Sequence, residues 1–321
     1  MKNKVVIVGG GMVGAAAAVK LAMLGADVTV LEQHIIEPNE ILDSDIVDIR
    51  ISAINRFTEK LLSELGAMDI LRRQRIAPYK QLEVYETPEN SLLFDCAELD
   101  ESHLGHLIEN RLIQASLWAQ FKHWDIKVEH VTEAPSAIEH GLEDVKLHYG
   151  DKVYCADLLI AADGGRSDIR QLADIGTTGW QYHQRCMGIL VKLDAEQQFK
   201  TWQQFKPTGP IAFLPMQPPY ANLIWYQDNE TLSALSHMDN EQLKSAVIKH
   251  FFALPGDFTI CDKAVFPIAR QHANSYSKGR VVLIGDAAHT INPLAGQGVN
   301  LGFKDISALA EAIKGQTDIF K

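Results

Sequence analysis

The feature that most constrains this chain is a glycine-rich turn that directly follows an apolar run near its start. Residues 4–8 read KVVIV, a β-branched run typical of a strand that is buried on both faces. Residues 9–14 read GGGMVG, which fits the pattern G-x-G-x-x-G. An alanine-rich stretch over residues 15–24 predicts a helix, and Gly25 is placed to end it. This order of strand, glycine turn and helix predicts an α/β fold of the Rossmann type.

Each part of this motif has a physical role in holding a dinucleotide. Gly9 allows the tight turn, Gly11 lets the backbone approach a pyrophosphate, and Gly14 lets the helix pack close to the strand. The helix N-terminus offers free N–H groups to the phosphates. A second strand over residues 27–31 leads to Glu32, where a carboxylate would accept hydrogen bonds from an adenosine ribose. Because a carboxylate repels a 2′-phosphate, the motif favours FAD or NAD over NADP as the bound nucleotide.

Two further stretches each combine a strand with an acid at its end. Residues 157–170 read DLLIAADGGRSDIR, where a strand would end at Asp163 and Ser167 would cap the next helix. Residues 279–303 read GRVVLIGDAAHTINPLAGQGVNLGF, where an apolar strand would end at Asp286 before a glycine loop and a helix. A simple NAD enzyme needs only the first motif and a catalytic domain. The additional elements therefore favour FAD, and an NAD dehydrogenase is the alternative.

The composition argues against a nucleic-acid-binding protein and against a metal site. Lys and Arg number 30 and Asp and Glu number 41, which gives a net charge of −11, whereas a nucleic-acid surface needs a basic patch. The 12 histidines show no metal-binding spacing, so we predict no metal. The cysteines form no C-x-x-C pair, which argues against a zinc site or a disulfide framework and fits a reducing compartment; they are Cys96, Cys155, Cys186 and Cys261.

The start of the chain predicts a cytoplasmic location. It enters a strand and a glycine turn at once, and no signal-peptide pattern fits there. The longest apolar stretch near it, residues 15–26, is interrupted by Lys20 and is too short to span a bilayer. Peripheral contact with the inner membrane stays open.

The three motifs together resemble the fingerprints of a known enzyme family. GGGMVG with Glu32, AADGGRSDIR and GDAAHTINPLAGQGVNLGF resemble those of FAD-dependent aromatic-ring hydroxylases. Within that family the chain is most similar to the ubiquinone-biosynthesis hydroxylases, and the resemblance covers nearly its whole length. It extends to residues 48–71, 102–118 and 201–215.

This resemblance implies two interleaved domains. The first is a Rossmann-like, glutathione-reductase-like FAD-binding domain, and the second is a smaller α+β substrate domain with a mostly antiparallel sheet. We expect the FAD-binding domain to comprise residues 1–75, 100–180 and 265–321. We expect the substrate domain to comprise residues 76–99 and 181–264. Chains of this family usually continue through further helices after the last fingerprint, and we expect this C-terminal tail to be absent here.

Within residues 181–264, alternating apolar runs predict a sheet that would form one wall of a pocket over the flavin. The strands are predicted at residues 187–193, 211–214 and 221–226, with a helix at 241–252. Apolar side chains of this sheet are candidates to line the pocket, although for each of them ordinary core packing is the commoner role. These candidates are Phe213, Leu214 and Trp225.

The resemblance implies roles for individual residues along the cofactor. Gly9, Gly11, Gly14 and Glu32 would hold the ADP half of FAD. Asp286 would accept hydrogen bonds from the ribityl chain.

Other residues would lie nearer the flavin ring. Arg50 and Arg111 would face the ring or the phosphates, and Asp163 with Gly164 would lie near the cofactor and the route of the nicotinamide donor. Most arginines are surface charges, and an acid at a strand end often only closes a turn, so structural roles remain alternatives. His289 has the chemistry of a proton carrier, and a structural role is at least as well supported.

The glycine loop near the end of the chain is implied to lie against the flavin ring. Backbone N–H groups there would stabilise negative charge on the reduced ring. With Pro293 the loop would border the oxygen site, and no side chain is assigned as catalytic. The loop and the following helix start consist of Gly296, Gln297, Gly298, Val299 and Asn300.

The reaction implied by the resemblance is hydroxylation of a polyprenylated phenol or quinol on the route to ubiquinone. NADH or NADPH would reduce FAD, and a flavin hydroperoxide formed with O₂ would transfer oxygen to the ring. The segments at residues 180–182 and 201–215 favour the step on demethoxyubiquinol. An earlier polyprenylphenol hydroxylation, a flavoprotein reductase or oxidase, and a non-catalytic flavin-binding partner remain alternatives. A polyprenyl tail implies work at a membrane surface, within a multi-enzyme assembly.

Overall fold

The structure is a computed structural model that describes residues 3–87, 89–292 and 296–314. Its helices are α1 Met12–Met23, α2 Pro38–Leu42, α3 Arg56–Glu64, α4 Ala67–Leu71, α5 Asn110–Trp118, α6 Asp168–Leu172, α7 Asn229–His237, α8 Asn240–His250 and α9 Gln297–Ile313. Its strands are β1 Lys4–Val8, β2 Asp27–Glu32, β3 Ile51–Asn55, β4 Ala77–Tyr79, β5 Gln81–Tyr85, β6 Ser91–Asp95, β7 Gly105–Glu109, β8 Lys127–His130, β9 Ala137–His140, β10 Val145–Tyr149, β11 Lys152–Ala156, β12 Leu158–Ala161, β13 Thr177–Leu193, β14 Lys200–Gln204, β15 Ile211–Pro215, β16 Tyr220–Asp228, β17 Phe258–Ala273, β18 Ser277–Lys278, β19 Val281–Leu283 and β20 His289–Thr290.

A six-stranded sheet forms the centre of the nucleotide-binding half. Its strand order is β18-β19-β12-β1-β2-β8, and all neighbours are parallel except β18 with β19. Alternate residues of β1 enter two different cores, with Val5 and Ile7 on one face and Val6 and Val8 on the other. Both faces are therefore buried, which is why the strand reads as a continuous apolar run.

Two layers cover this sheet. Helices α1, α3, α4, α5 and α9 share the core on one face, and the antiparallel three-stranded sheet β11-β10-β9 covers the other. The close approach of α1 depends on its alanines, since Ala15, Ala16, Ala17 and Ala18 are completely buried. Small side chains let the helix axis lie near the sheet and fix the helix N-terminus over the strand ends.

An eight-stranded sheet forms the other half, in the order β20-β17-β13-β16-β15-β14-β5-β6. Its neighbours are antiparallel apart from β14 with β5, which confirms the predicted α/β fold class with a second, mostly antiparallel sheet. The predicted boundaries after residues 180 and 264 fall inside the long strands β13 and β17, which continue across them. The division into two interleaved domains remains our proposal.

One face of the eight-stranded sheet packs against α7 and α8. Phe213 and Trp225 lie in this core, which is the commoner of the two roles considered for them, and they do not line the cavity on the other face. Their neighbour Leu214 does line a cavity on the other face. Side chains alternate along a strand, so adjacent residues cannot both face the same side.

A small antiparallel sheet, β3-β7-β4, joins the two halves. Helix α3 leaves β3 directly, and Asn55 caps it by accepting a hydrogen bond from the Thr58 backbone N–H. Among the described residues, no helix has the length and apolar character that crossing a membrane requires.

Candidate active site

The acids predicted at three strand ends lie at one edge of the central sheet. Strands β1, β2, β12 and β19 are parallel, so their carboxyl ends meet there, followed by Gly9, Glu32, Asp163 and Asp286. Backbone hydrogen bonds join these ends, from Ala162 N–H to the Val8 carbonyl at 2.8 Å and from Ile284 N–H to the Ala161 carbonyl at 3.0 Å. Motifs that are far apart in sequence are therefore adjacent in space.

The glycines of the first turn differ in what surrounds them. Gly9 has φ of +101°, and a β-carbon there would overlap the carbonyl oxygen of Ala162. A β-carbon on Gly14 would overlap the carbonyl oxygen of Gly9, so Gly14 is needed for packing of α1. Gly11, in contrast, has open space where its β-carbon would be. This space lies beside the N-terminus of α1, where a phosphate would bind.

The Glu32 carboxylate holds the glycine turn as well as facing the cavity. It accepts hydrogen bonds from the backbone N–H of Gly10 and, at 2.8 Å, from that of His34. The turn is also held from α5, because the Trp118 indole and the Gln114 amide donate to the Gly10 carbonyl at 2.7 and 2.9 Å. Sequence analysis missed Gln114 and Trp118, since they lie about a hundred residues from the turn and carry no local motif.

A cavity of about 270 Å³ lies beside this turn. Asp163 lies in its wall, where one carboxylate oxygen accepts from Ile169 N–H at 3.2 Å and the other is buried without a partner among the described residues. Burial raises the pKa of the Asp163 carboxyl, and the Ser167 hydroxyl partly opposes this. Ser167 caps α6 as predicted. The lining residues include Val8, Gly9, Gly11, Glu32, Tyr149, Asp163 and Arg166.

The two predicted arginines occupy different environments. Arg111 donates to Glu109 at 3.2 Å and has a second, buried nitrogen without a partner among the described residues. Glu109 is completely buried and also pairs with Arg75 at 3.0 Å, a residue that sequence analysis did not identify. Arg50 is exposed and its guanidinium lies over the Phe266 ring, 5.4 Å from the centroid.

Asp286 lies at this edge of the sheet but is not among the residues that line the cavity beside the glycine turn. Its side chain is exposed on one side, and its carboxylate accepts no hydrogen bond from the described part of the chain. Its remaining surroundings are protein, and this burial raises its pKa while the nearby His289 lowers it. The carboxylate is thus placed to accept hydrogen bonds from a bound molecule.

His289 is a structural residue in this arrangement. Its ring is buried, and its Nε2 lies 2.7 Å from Asp305 Oδ2, which also accepts from the Gly285 N–H at 2.8 Å. Burial lowers the pKa of His289, but the hydrogen bond and charge of Asp305 outweigh it and raise the pKa overall. The pair joins α9 to the strand end that carries Asp286.

The start of α9 borders a second cavity, of about 190 Å³. Gly296, Gly298 and Val299 lie in its wall, and Gln297 is exposed. Both polar atoms of the Asn300 side chain have hydrogen-bond partners within the protein. Its oxygen accepts from Asn55 N–H and the Thr58 hydroxyl, and its nitrogen donates to Ala53 and Gly296 carbonyls. Pro293 lies outside the described residues.

The wall opposite α9 is the second face of the eight-stranded sheet. It is mostly apolar and carries a few hydroxyl and thiol groups, which sequence analysis did not single out. Burial raises the pKa of Cys186 to about 12 and also raises the pKa of Tyr226. Tyr79, which lines the cavity from β4 of the small sheet, likewise has its pKa raised by burial, to about 12. These groups are therefore neutral donors at physiological pH. The sheet contributes Leu82, Cys186, Thr201, Gln203, Ala212, Leu214, Ile224 and Tyr226.

One cluster with metal-binding residue types lies away from both cavities. Glu59, His103 and His106 have ligand atoms within 4.8 Å of one another. Arg56 lies among them, since its guanidinium pairs with Glu59 and lies 2.9 Å from His103 Nε2. A cation therefore already neutralises the Glu59 carboxylate, and the absence of a metal remains our prediction.

The groups along the sheet edge fit FAD. Open space at Gly11 and an uncapped helix N-terminus at α1 suit phosphates. Glu32 and Asp286 offer acceptors for ribose and ribityl hydroxyls. The second helix N-terminus, at α9, lies against the apolar cavity, where a ring system would fit.

Comparison with known proteins identifies the family. Residues 2–318 match the protein family described as FAD binding domain. The chain is 40% identical to 3-demethoxyubiquinol 3-hydroxylase of Escherichia coli, over 97% of this chain and 79% of that protein. It is 32% identical to the mitochondrial ubiquinone biosynthesis monooxygenase COQ6 of Mus musculus, over 95% and 74%.

The fold recurs in solved structures. The structure of P. aeruginosa PqsL in complex with 2-aminobenzoylacetate superimposes with a TM-score of 0.77 at 22% identity, over 97% of this chain and 86% of that one. The family match supports FAD as the cofactor, and the two relatives support the enzyme class. The chain belongs to the FAD-dependent ubiquinone-biosynthesis hydroxylases, which are flavoprotein monooxygenases.

Proposed function

We propose that this protein hydroxylates the aromatic ring of a polyprenylated quinol or phenol in ubiquinone biosynthesis, with FAD, NADH or NADPH, and O₂. The observation that carries the proposal is the convergence of Gly11, Asp163 and Asp286 at one sheet edge, next to an apolar cavity bordered by the start of α9. The names of the relatives support the substrate class.

Different residues of this chain would bind different parts of FAD. The N–H groups at the start of α1 and Arg111 would hold the pyrophosphate. Glu32 would bind the adenosine ribose, and Asp286 would bind the ribityl chain. FAD, when bound, supplies the chemistry that activates O₂ for transfer to a ring. The start of α9 would place backbone N–H groups against the electron-rich end of the ring system.

The cavity wall would orient the substrate and exclude water. Its apolar residues Leu82, Leu214 and Ile224 favour a substituted ring over solvent. Tyr79 remains protonated and would donate a hydrogen bond to a ring oxygen, whereas the Tyr226 hydroxyl donates to Asn292 Oδ1 at 3.3 Å within the protein. A quinol is already electron-rich, so this arrangement needs no strong general base.

We place the reaction at the demethoxyubiquinol step, which the name of the 40% identical relative supports. The earlier polyprenylphenol hydroxylation is the alternative within the same pathway. We further propose that the enzyme works in the cytoplasm at the inner membrane, in contact with other enzymes of the pathway. A polyprenylated substrate that resides in lipid is the reason for this location.

Oxygen-18 labelling tests the reaction. The purified enzyme with FAD, reduced nicotinamide and demethoxyubiquinol under ¹⁸O₂ should yield a product that carries one labelled oxygen per new hydroxyl group. Product oxidised without label would identify an oxidase or reductase. A protein that takes up NAD and stays colourless would be an NAD dehydrogenase.

The quinone profile of cells that lack the gene tests the step. Demethoxyubiquinone should accumulate, and accumulation of polyprenylphenol would move the enzyme to the earlier step. An unchanged profile, from a protein that still binds FAD, would indicate a non-catalytic partner.

A further inference from the structure

The apolar cavity is small for the substrate class proposed above. Its volume of about 190 Å³ is below the roughly 300–1,000 Å³ of typical small-molecule pockets. The flavin ring system and the substrate ring both need space at this place. A long isoprenoid tail therefore has to leave the cavity and run along another surface of the protein.

The sheet register shows which surface continues from the cavity. Leu82 of β5 lies in the cavity wall, and its partner on the edge strand β6 is Phe94. Two residues further along, Val84 is paired with Leu92. Paired residues on neighbouring strands point to the same side of a sheet, and so do residues two apart on one strand. These four side chains therefore share the face that lines the cavity, and we call them the edge track.

Strands β5 and β6 separate apolar from polar residues by face. The edge track contains only aliphatic and aromatic side chains. Apart from Tyr85 and Leu93, the opposite face of the two strands is polar or charged, with Gln81, Glu83, Ser91 and Asp95. A strand pair that faced water on both sides would not need this alternation.

The outer half of the edge track is exposed. Leu92 is 58% exposed and Phe94 is 45% exposed, whereas Leu82 and Val84 are half-buried. Exposure thus increases with distance from the cavity, along one continuous apolar surface. Continuous exposed apolar surface in a folded protein commonly marks a binding site.

We propose that the edge track, formed by Leu82, Val84, Leu92 and Phe94, binds the isoprenoid tail of the substrate as it leaves the cavity. The inference rests on the proposed function, because that function supplies the tail. An isoprenoid chain is an uncharged, branched hydrocarbon, and this face of the two strands offers it apolar contacts alone. Continuity with the cavity favours the tail of the bound substrate over a separate partner.

Matched variants on one strand test the proposal. Leu92→Thr and Phe94→Thr, combined, remove apolar area from the edge track and replace it with a β-branched residue type that favours strands. Leu93→Thr is the control, because Leu93 is 43% exposed on the same strand and points to the other face. The probes are the tail-less ubiquinone ring and its diprenyl homologue, titrated against the FAD-loaded enzyme by changes in flavin absorbance.

We expect the double variant to bind the diprenyl probe about tenfold more weakly than the wild type, through lost apolar contact. Its affinity for the tail-less ring, its FAD content and its unfolding temperature should be unchanged, and Leu93→Thr should bind both probes like the wild type. With a diprenyl substrate, KM should rise while kcat stays constant.

Two results would overturn the inference. One is equal affinity of wild type and double variant for the diprenyl probe, and the other is an equal loss for both probes. A different result would reject the proposed function itself. If the wild-type enzyme transferred no labelled oxygen from ¹⁸O₂ to any quinol, the hydroxylase assignment would be rejected, whatever the affinities for the tail.

Discussion

The two cavities of this protein are built in different ways. The cavity beside the glycine turn is formed by strand ends and backbone, and its key residues follow each other in short motifs, as Gly9, Gly11 and Gly14 do. The apolar cavity is formed largely by one face of a sheet, with residues from strands β5, β13, β14, β15 and β16, and residues of β3, β4 and the start of α9 complete its wall. The first kind of site depends on local geometry, whereas the second depends on register between distant segments.

This difference predicts how each cavity responds to substitution. A site made of backbone tolerates no added atoms where chain segments touch, and it tolerates them well where only a ligand approaches. A site made of alternating side chains can change one face without disturbing the other.

The largest expected effect concerns packing at the glycine turn. Gly14→Ala would place a methyl group against the Gly9 carbonyl, and we expect the free energy of unfolding to fall by about 3 kcal/mol or more. Gly11→Ala is the matched control. Its β-carbon meets open space and its φ of −62° suits alanine, so the loss should stay below about 1 kcal/mol. Urea unfolding of the flavin-free proteins measures both, and equal losses would contradict the packing argument.

The second prediction separates ligand approach from folding. Gly11→Val adds a side chain at a position where a β-carbon meets no atom within 4 Å, so we expect the flavin-free form to fold. The affinity for FAD should fall at least about a hundredfold, because the side chain occupies the phosphate approach. Flavin absorbance of the purified protein measures this, with circular dichroism as the check on folding. A folded variant with full FAD content would show that the pyrophosphate does not bind beside Gly11.

The smallest expected effect concerns the interaction between His289 and Asp305, next to Asp286. The raised pKa of His289 means that its stabilising interaction with Asp305 is fully present below its ordinary value of 6.5 and is lost as pH rises through the raised value. Asp305→Asn should therefore cost about 1–2 kcal/mol of unfolding free energy at about pH 6 and less at about pH 8.5. Urea unfolding at both pH values measures the difference. A larger cost at the higher pH would show that the pair is not charged as inferred.

The sequence alone was sufficient to predict the elements whose patterns depend on neighbouring residues. The strand, turn and helix at residues 4–24, the Ser167 cap and the helix near residue 240 depend on neighbouring residues, and all are present. The same patterns predicted Glu32, Asp163 and Asp286 at strand ends, and the structure brings those ends together at one parallel edge.

The remaining features of the site depend on contacts between segments that are distant in sequence. The sequence left open whether Phe213 and Trp225 line the pocket or pack in the core, since both faces of β15 and β16 are apolar and the period of two does not say which face meets the cavity. Trp118 and Arg75 were missed because their partners, Gly10 and Glu109, lie more than 30 residues away.

We propose that Glu32 and Asp286 hold opposite ends of one FAD molecule. Titration of Glu32→Ala and Asp286→Ala with FAD, ADP and FMN tests this most directly. Both variants should bind FAD about tenfold more weakly than the wild type, and the losses should separate with the fragments. Glu32→Ala should lose affinity for ADP and retain it for FMN, and Asp286→Ala should do the reverse. Wild-type affinity for FAD in both variants would contradict the shared cofactor site.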